Sequence, residues 1–524
     1  MTLHYKNIKF LALLYAGIPI VIFMLGWLNI IFAALFSAVF ALAIIFSMRK
    51  MKDDDGEIKE FKLSKKKFFI IIAIALLWCI LAGQGGFVHQ TSDQEIRNAI
   101  LYDLIVKPWP VTYNNGEAVL SYYITHWMVP AVFGKLVFFI SGGSCFAAYL
   151  AGNIALCLWS SFGVALVLLL FSMMANTGKK SYPIMAVIGF IFFSGLDIIG
   201  SVLLKSNISG LHLEWWVYFF QYSSNTTCLF WVYNQTIVTW LMMLIIINEK
   251  KMKDLAVAGI MIFPYGPFPF VGAFVICIIK VIEKLKNKFK EHELGKGFKD
   301  LFSPQNLMSV LSVAPVFILY FISNQIVSNQ TGSFDNTGLR LHDNIMLVFN
   351  YFVPSWKFIS RYLMFILKYI LFVILEFGIF TFIMRKNHKN DILFLGINIS
   401  LLIIPLIQIG EKYDFSMRVS IPGIEYICLM FFRYIFEKLD TLPKEISFKT
   451  LKKQFSVIAA IVLLTIGAIT PAFEFGRETS LTFINGIDYE EQYSNPKSFD
   501  NMDYGYNFTN EHYKDSAFYK ISRH

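Results

Sequence analysis

Charge is scarce in this chain. Only 16% of its 524 residues are Asp, Glu, Lys or Arg, where soluble globular domains carry about a quarter, so an ordinary soluble surface is excluded. Cysteine is sparse too. Cys79, Cys145, Cys157, Cys228, Cys277 and Cys428 are scattered, with no Cys-x-x-Cys and no Cys/His spacing suited to zinc, and they read as small apolar fillers. There is no Gly-rich nucleotide loop, and no internal repeat of the kind that builds many transporters. The net charge of +10 does not signal nucleic acid, because no basic surface with interleaved aromatics accompanies it.

What is present is apolar. Hydrophobic residues make up 56% and aromatics 17%, Phe alone occurring 53 times, and the mean hydropathy is +0.57. The first apolar stretch runs from about residue 10 to 48, well beyond the h-region of a signal peptide, and Gly26-Trp27-Leu28-Asn29 interrupts it. A retained helical hairpin fits better. Membrane helices need about 20 apolar residues, and the sequence predicts about 13 of them in an all-α polytopic protein. They fall near 10–27, 30–48, 68–88, 145–174, 183–203, 228–247, 255–264, 267–283, 306–327, 358–384, 391–409, 418–436 and 456–472.

Alternate loops are basic. Arg49 to Lys67, Lys179-Lys180, Lys250 to Lys253, Lys284 to Lys290, Arg385 to Lys389 and Lys444 to Lys453 would all lie inside. The N-terminus is then cytoplasmic and the C-terminus extracytoplasmic, in a bacterial plasma membrane. The outer segments are 89–144, 204–227, 328–357, 410–417 and a polar tail, 473–524, too short to be a large domain and expected to pack on the outer loops. Pro264-Tyr265-Gly266-Pro267-Phe268-Pro269 forbids a continuous helix. Either a broken hairpin reaches part-way into the membrane, facing protein or a wet cavity, or a tight turn lies at the outer surface.

Candidate chemistry concentrates on the outer face. Ile96, Ile100 and Leu104 recur at helical spacing, predicting an amphipathic helix along the membrane surface. Ser92 and Glu95 match a capping box. Asp93 starts that helix, with Arg97 on the same face one turn on. It reads either as a first-turn acid favoured by the helix dipole or as a general base at the interface. Asp197, in an apolar stretch, is a costly acid that holds a cation or hydroxyl or pairs with a neighbouring helix. Glu214 and Asp414 are further outer acids. Gln221 to Thr227, including Asn225, is dense in uncharged hydrogen-bonding groups beside Trp and Tyr, which suits sugars; Asn234 and Gln235 suit interhelical bonds at least as well. Glu376 reads as an interhelical partner. Arg418 either clamps a lipid phosphate or snorkels as an anchor.

Taken together, Ser92-Asp93-Gln94-Glu95, Lys107-Pro108-Trp109-Pro110-Val111, Gln221 to Thr227 and Asp414 to Arg418 resemble the GT-C superfamily, membrane glycosyltransferases that use polyprenyl-phosphate-linked sugars. The likeness covers about two-thirds of the chain in layout and is nearest to the uncharacterised bacterial branch. Two features depart from the pattern: the acid follows the third helix instead of the first, as two extra N-terminal helices would explain, and Glu95 replaces a clean Asp-Asp pair. The resemblance implies a GT-C-like core over 1–472 and inverting transfer at the outer face to a glycan, lipid or protein acceptor. Asp93 would be the base and Arg97 or Arg418 the phosphate ligand. It names no certain cofactor and leaves a divalent cation open, with Glu95, Asp197, Glu214, Gln221, Asn225 and Asp414 as groups that would meet substrate or cation. Two other classes share these features: a transporter or flippase of a lipid-linked saccharide, and a non-catalytic assembly protein for envelope polymers.

Overall fold

The computed structural model describes residues 1–524 except 50, 52–55, 179, 207–211, 331–337, 340–355, 411, 412, 442–447, 488, 503–507 and 524; side chains are further left undescribed at 324–330, 338, 339, 356–362, 448–454, 490 and 491. Most of the expected outer segment 328–357 therefore lies outside the described residues. The chain is all-α, 75% helical, and among the described residues seven helical runs are long and apolar enough to cross a membrane. Large apolar side chains such as Ile30, Ile31, Phe69 and Leu158 point outward, as they do where lipid replaces water. This is a multi-pass membrane protein.

A short strand, β1 (Thr2–His4), leads into α1 (Tyr5–Trp27) and α2 (Ile30–Arg49), which form the expected hairpin. Strand β2 (Glu60–Lys62) precedes α3 (Lys65–Leu81), whose first turn is capped by Ser64. Then come α4 (Ser92–Val106), strands β3 (Thr112–Tyr113) and β4 (Ala118–Leu120), α5 (Met128–Ile140) and the long α6 (Cys145–Ala175).

The predicted span 183–203 is not one helix but two, α7 (Pro183–Ile191) and α8 (Asp197–Leu204). The break admits Glu376: a Cβ at Gly195 would lie 2.1 Å from a Glu376 carboxylate oxygen, and the Leu196 amide donates to the Leu375 carbonyl at 3.0 Å. Next are α9 (Asn225–Asn248), α10 (Leu255–Ile260), α11 (Pro267–Lys290), α12 (Leu294–Leu301) and α13 (Pro304–Gln330).

The proline-rich break between α10 and α11 is deep in protein. Tyr265 is fully buried and its hydroxyl donates to the Ala16 carbonyl, midway along α1, at 2.9 Å; Thr125 donates to the Pro264 carbonyl at 2.7 Å. The surface-turn alternative is thereby set aside.

The remaining strands are β5 (Gly338–Leu339) and β6 (Ile407–Gln408), which pair, and β7 (Thr509–Asn510). The remaining helices are α14 (Trp356–Val373), α15 (Ile379–Met384), α16 (Ile392–Ile403), α17 (Asp414–Val419), α18 (Ile421–Asp440), α19 (Phe448–Gly467), α20 (Ile469–Asn485) and α21 (Tyr489–Ser494). A wide π-type turn, Ile374–Gly378, joins α14 to α15 and carries Glu376. The last predicted span was to end near 472. Instead α20 continues to Asn485, and the segment read as the start of a polar tail is helical.

The loops sort to two ends. At one end β1 pairs with β2, Gly56 bridges Glu249, Lys284 reaches Glu57 at 3.4 Å, and Arg433 donates to the Met174 carbonyl at 2.7 Å. The basic segments 49–67, 250–253 and 284–290 are thereby gathered together. At the opposite, loop-rich end the tail lies on the 89–144 segment. Strand β7 pairs with β4, which pairs with β3, and Ser498 donates to Asp103 at 2.6 Å.

Candidate functional site

Helix α4 packs against α5 and α6, burying Ile100, Leu101, Leu104 and Ile105 completely. Its N-cap is Thr91, which makes no side-chain cap bond. Ser92 thus falls inside the first turn, and the expected Ser92–Glu95 capping box does not form. Glu95 pairs instead with Lys497 of the tail. Asp93 stands half exposed, and Arg97, one turn on and buried, reaches it at 3.2 Å.

Arg97 has a second task. Helix α9 is kinked at Val232, where φ is −142° and ψ 35°, and a kink leaves carbonyls without their helical donors. Arg97 donates to the Trp231 carbonyl, Gln94 donates to the Phe230 carbonyl at 3.3 Å, and the guanidinium lies 5.6 Å from the centre of the Tyr233 ring. One Arg97 nitrogen, Nη1, is buried with no hydrogen-bond partner among the described residues.

Arg418 comes from the other end of the sequence to the same place. It projects from α17, pairing with half-exposed Asp414 one turn back at 2.8 Å. Its Nε is likewise buried without a partner among the described residues. Tyr122 and Tyr123 both lie within the field of both guanidiniums. Burial raises the pKa of both phenols, and the arginines oppose that rise. Tyr122 is fixed through its backbone: its amide donates to the Tyr320 hydroxyl at 3.1 Å, and the same hydroxyl donates to its carbonyl at 2.7 Å.

A second group adjoins the first through Trp231, whose indole donates to Glu474 at 3.1 Å. Arg477 holds Glu474 by two bonds of 3.0 and 2.7 Å and reaches Glu478 at 2.8 Å. His89 lies 2.7 Å from Glu478, and His212 is 3.4 Å from Glu474. The His212 ring also lies 4.4 Å from that of Trp215, tilted by 51°; Trp215 donates to Gln221 at 3.0 Å and its ring centre is 5.7 Å from that of Tyr413, the neighbour of Asp414. Glu214, outside the membrane-spanning helices, accepts from Gln221 at 2.9 Å, Ser223 at 2.6 Å and the Ser224 amide at 2.8 Å. Burial above all, with the Asp197 charge second, pushes its carboxyl up to about 8 despite those donors.

Asp93, Arg97, Gln221, Glu214, Asp414 and Arg418 thus belong to one connected polar region at the loop-rich end. The other sequence candidates have structural partners. Asp197 is fully buried and accepts from Ser194 (2.9 Å), Trp216 (3.1 Å) and Thr470 (2.8 Å); Trp216 also reaches Glu376 at 3.1 Å. Asn225 and Thr226 donate to the last carbonyls of α7, Phe190 and Ile191, each at 2.7 Å. That answers the need of a helix end for donors. Glu95 faces the tail. Asn234 is buried with neither amide atom bonded among the described residues.

Tyr122, Tyr123, Trp231, Glu474, Arg477, His89 and His212 were not singled out from sequence. The only local signal was Glu474-x-x-Arg477, an i,i+3 pair on a helix, whose extent was misjudged. Among the described residues no three His, Cys, Asp or Glu side chains are grouped to hold a metal ion, and the concentrated positive charge is supplied by arginine. Comparison with protein-family models, with curated proteins and with solved structures found no match.

Proposed function

We propose that this chain is a membrane glycosyltransferase with a GT-C-like core of about thirteen passes, using a polyprenyl-phosphate-linked sugar at the outer face of the membrane. One observation carries the reading. Arg97 and Arg418, far apart in sequence, both act electrostatically on Tyr122 and Tyr123, and each keeps a buried nitrogen with no hydrogen-bond partner among the described residues. Buried guanidinium donors are costly to leave unmet, and planar N–H groups match phosphate oxygens. The resemblance of the Ser92 to Glu95 and Asp414 to Arg418 segments to that superfamily points the same way.

In this reading the donor phosphate lies between the two arginines. An acceptor hydroxyl oxygen attacks the anomeric carbon from the opposite side, the bond from that carbon to the phosphate oxygen breaks, and the phosphate leaves with the electron pair. The hydroxyl proton passes to half-exposed Asp93. The arginines neutralise charge as it grows on the leaving oxygen, the point at which such stabilisation accelerates a reaction.

The test is transfer of radiolabelled sugar from a polyprenyl-phosphate donor by purified protein. Asp93→Asn should lower kcat about 10²- to 10⁴-fold, as for loss of a general base. Arg418→Lys should lower kcat/KM by about tenfold or more, since a point charge replaces a planar fork. Full transfer by Asp93→Asn under limiting donor would sink the reading. Movement of intact donor across liposomes without change of mass would replace it with transport.

A further inference from the structure

Apart from the two arginines, neither of which lines it, the structure holds a half-open cavity of about 830 Å³, large enough for a small oligosaccharide. It lies where the end of α1, the loop after α4, α13 and the tail meet. Its aromatic lining is formed by Trp27, Trp109, Tyr320, Tyr513, Phe518 and Tyr519. Trp109 is held in place: its indole donates to the Leu104 carbonyl at 2.9 Å, and its ring lies against α1 because position 26 is glycine, where a Cβ would come within 2.6 Å of the ring. Trp27 lies 5.5 Å from it between ring centres, and the Trp27 indole nitrogen is buried with no partner among the described residues.

Polar groups are interleaved with these rings. Ser323 and Ser522 line the cavity, and each donates to a nearby backbone carbonyl, which leaves the hydroxyl oxygens as acceptors. Among the described residues, two cations, Lys135 and Arg523, are in the wall, and no Asp or Glu is. Lys135 donates to the carbonyls of Ile105 (3.1 Å) and Lys107, closing the end of α4, and sits 5.2 Å from the Trp109 ring centre. An ammonium has three donors, so one is left over. Neither cation has a carboxylate partner among the described residues.

Aromatic faces suit the apolar C–H faces of sugars, hydroxyls suit their OH groups, and two cations with no carboxylate partner among the described residues favour an anion. We propose that this cavity is a binding site for an acidic saccharide, one bearing a carboxylate. It is independent of the role given above to Asp93 and the arginines.

The probes are a glucuronate-containing disaccharide and the matched neutral glucose disaccharide, titrated calorimetrically into full-length protein in phosphatidylcholine nanodiscs. The acidic disaccharide should bind at least about tenfold more tightly than the neutral one, as for one added charge-assisted bond. Arg523→Gln, at an exposed position, and Lys135→Gln should each abolish that preference, and Trp109→Leu should weaken both sugars. Asp93→Asn should leave binding unchanged, so failure of the transfer reading would not touch this one. Equal affinity for the two disaccharides, no binding of either, or displacement of the acidic one by phosphatidylglycerol would each overturn the proposal.

Discussion

At the scale of single residues, the sequence marks acids and arginines well and their tasks poorly. Asp93 and Arg97 are legible as an i,i+4 pair, and the structure places them at 3.2 Å. That Arg97 also serves a kinked helix could not be read, because the kink at Val232 has neither proline nor glycine to announce it. Asn225 shows the converse: a residue of sugar-binding type is taken up by the frayed end of α7. Glu214 offers a test in solution. Its ordinary value is 4.5 and the folded value about 8, so between these the folded state holds a proton that the unfolded chain has released. Its contribution is therefore complete below about pH 4.5 and is lost as pH rises through about 8, a change on the order of a few kcal/mol. The melting temperature of wild type should fall over that window relative to Glu214→Gln, which cannot titrate. Parallel profiles for the two proteins would show that Glu214 is ionised throughout.

Among the elements, long apolar helices are the best read: α2 and α6 match to within a residue at each end, while α1 starts five residues earlier and α9 three residues earlier than expected, since apolar length alone defines them. Interrupted elements are not. The break before Asp197 exists to receive Glu376 from 180 residues downstream, and no local periodicity encodes it. The run of α20 past residue 472 was missed because its charged residues look like tail; Glu474, Arg477 and Glu478 are tolerated there by pairing with one another, His89 and His212. The short helix α17, which carries Arg418, leans on α11 at Gly272, where a Cβ would lie 2.0 Å from the Val419 carbonyl oxygen. Backbone has no side chain to swing aside, so Gly272→Ala must push α17 outward. We expect a loss of about 1 to 3 kcal/mol in stability and a fall in transfer comparable to Arg418→Lys, read by thermal melting and the donor assay. Wild-type melting and activity would show that the contact is slack.

For the whole molecule, the alternation of basic and non-basic loops predicts a two-ended protein, and the basic segments around residues 57, 250 and 284 do lie together. Which end faces the cytoplasm is open to direct measurement. In a background without the six native cysteines, Lys386→Cys and Asn501→Cys sit at opposite ends. Membrane-impermeant maleimide applied to intact cells should label Asn501→Cys and spare Lys386→Cys; the reverse pattern would invert the topology and move the proposed site to the inner face.

The tail's hold on α4 also has a meaning in time. Helix α4 leaves the ribosome early, whereas Glu474, Lys497 and Ser498, which fasten the site and the helix, follow about 370 residues or more later. At about 5 to 20 residues per second, that is a delay of roughly 20 to 75 seconds. Through that interval the nascent chain carries Glu95, Asp103 and Trp231 without these later partners, so a chain that stops before residue 474 lacks every one of those fastenings.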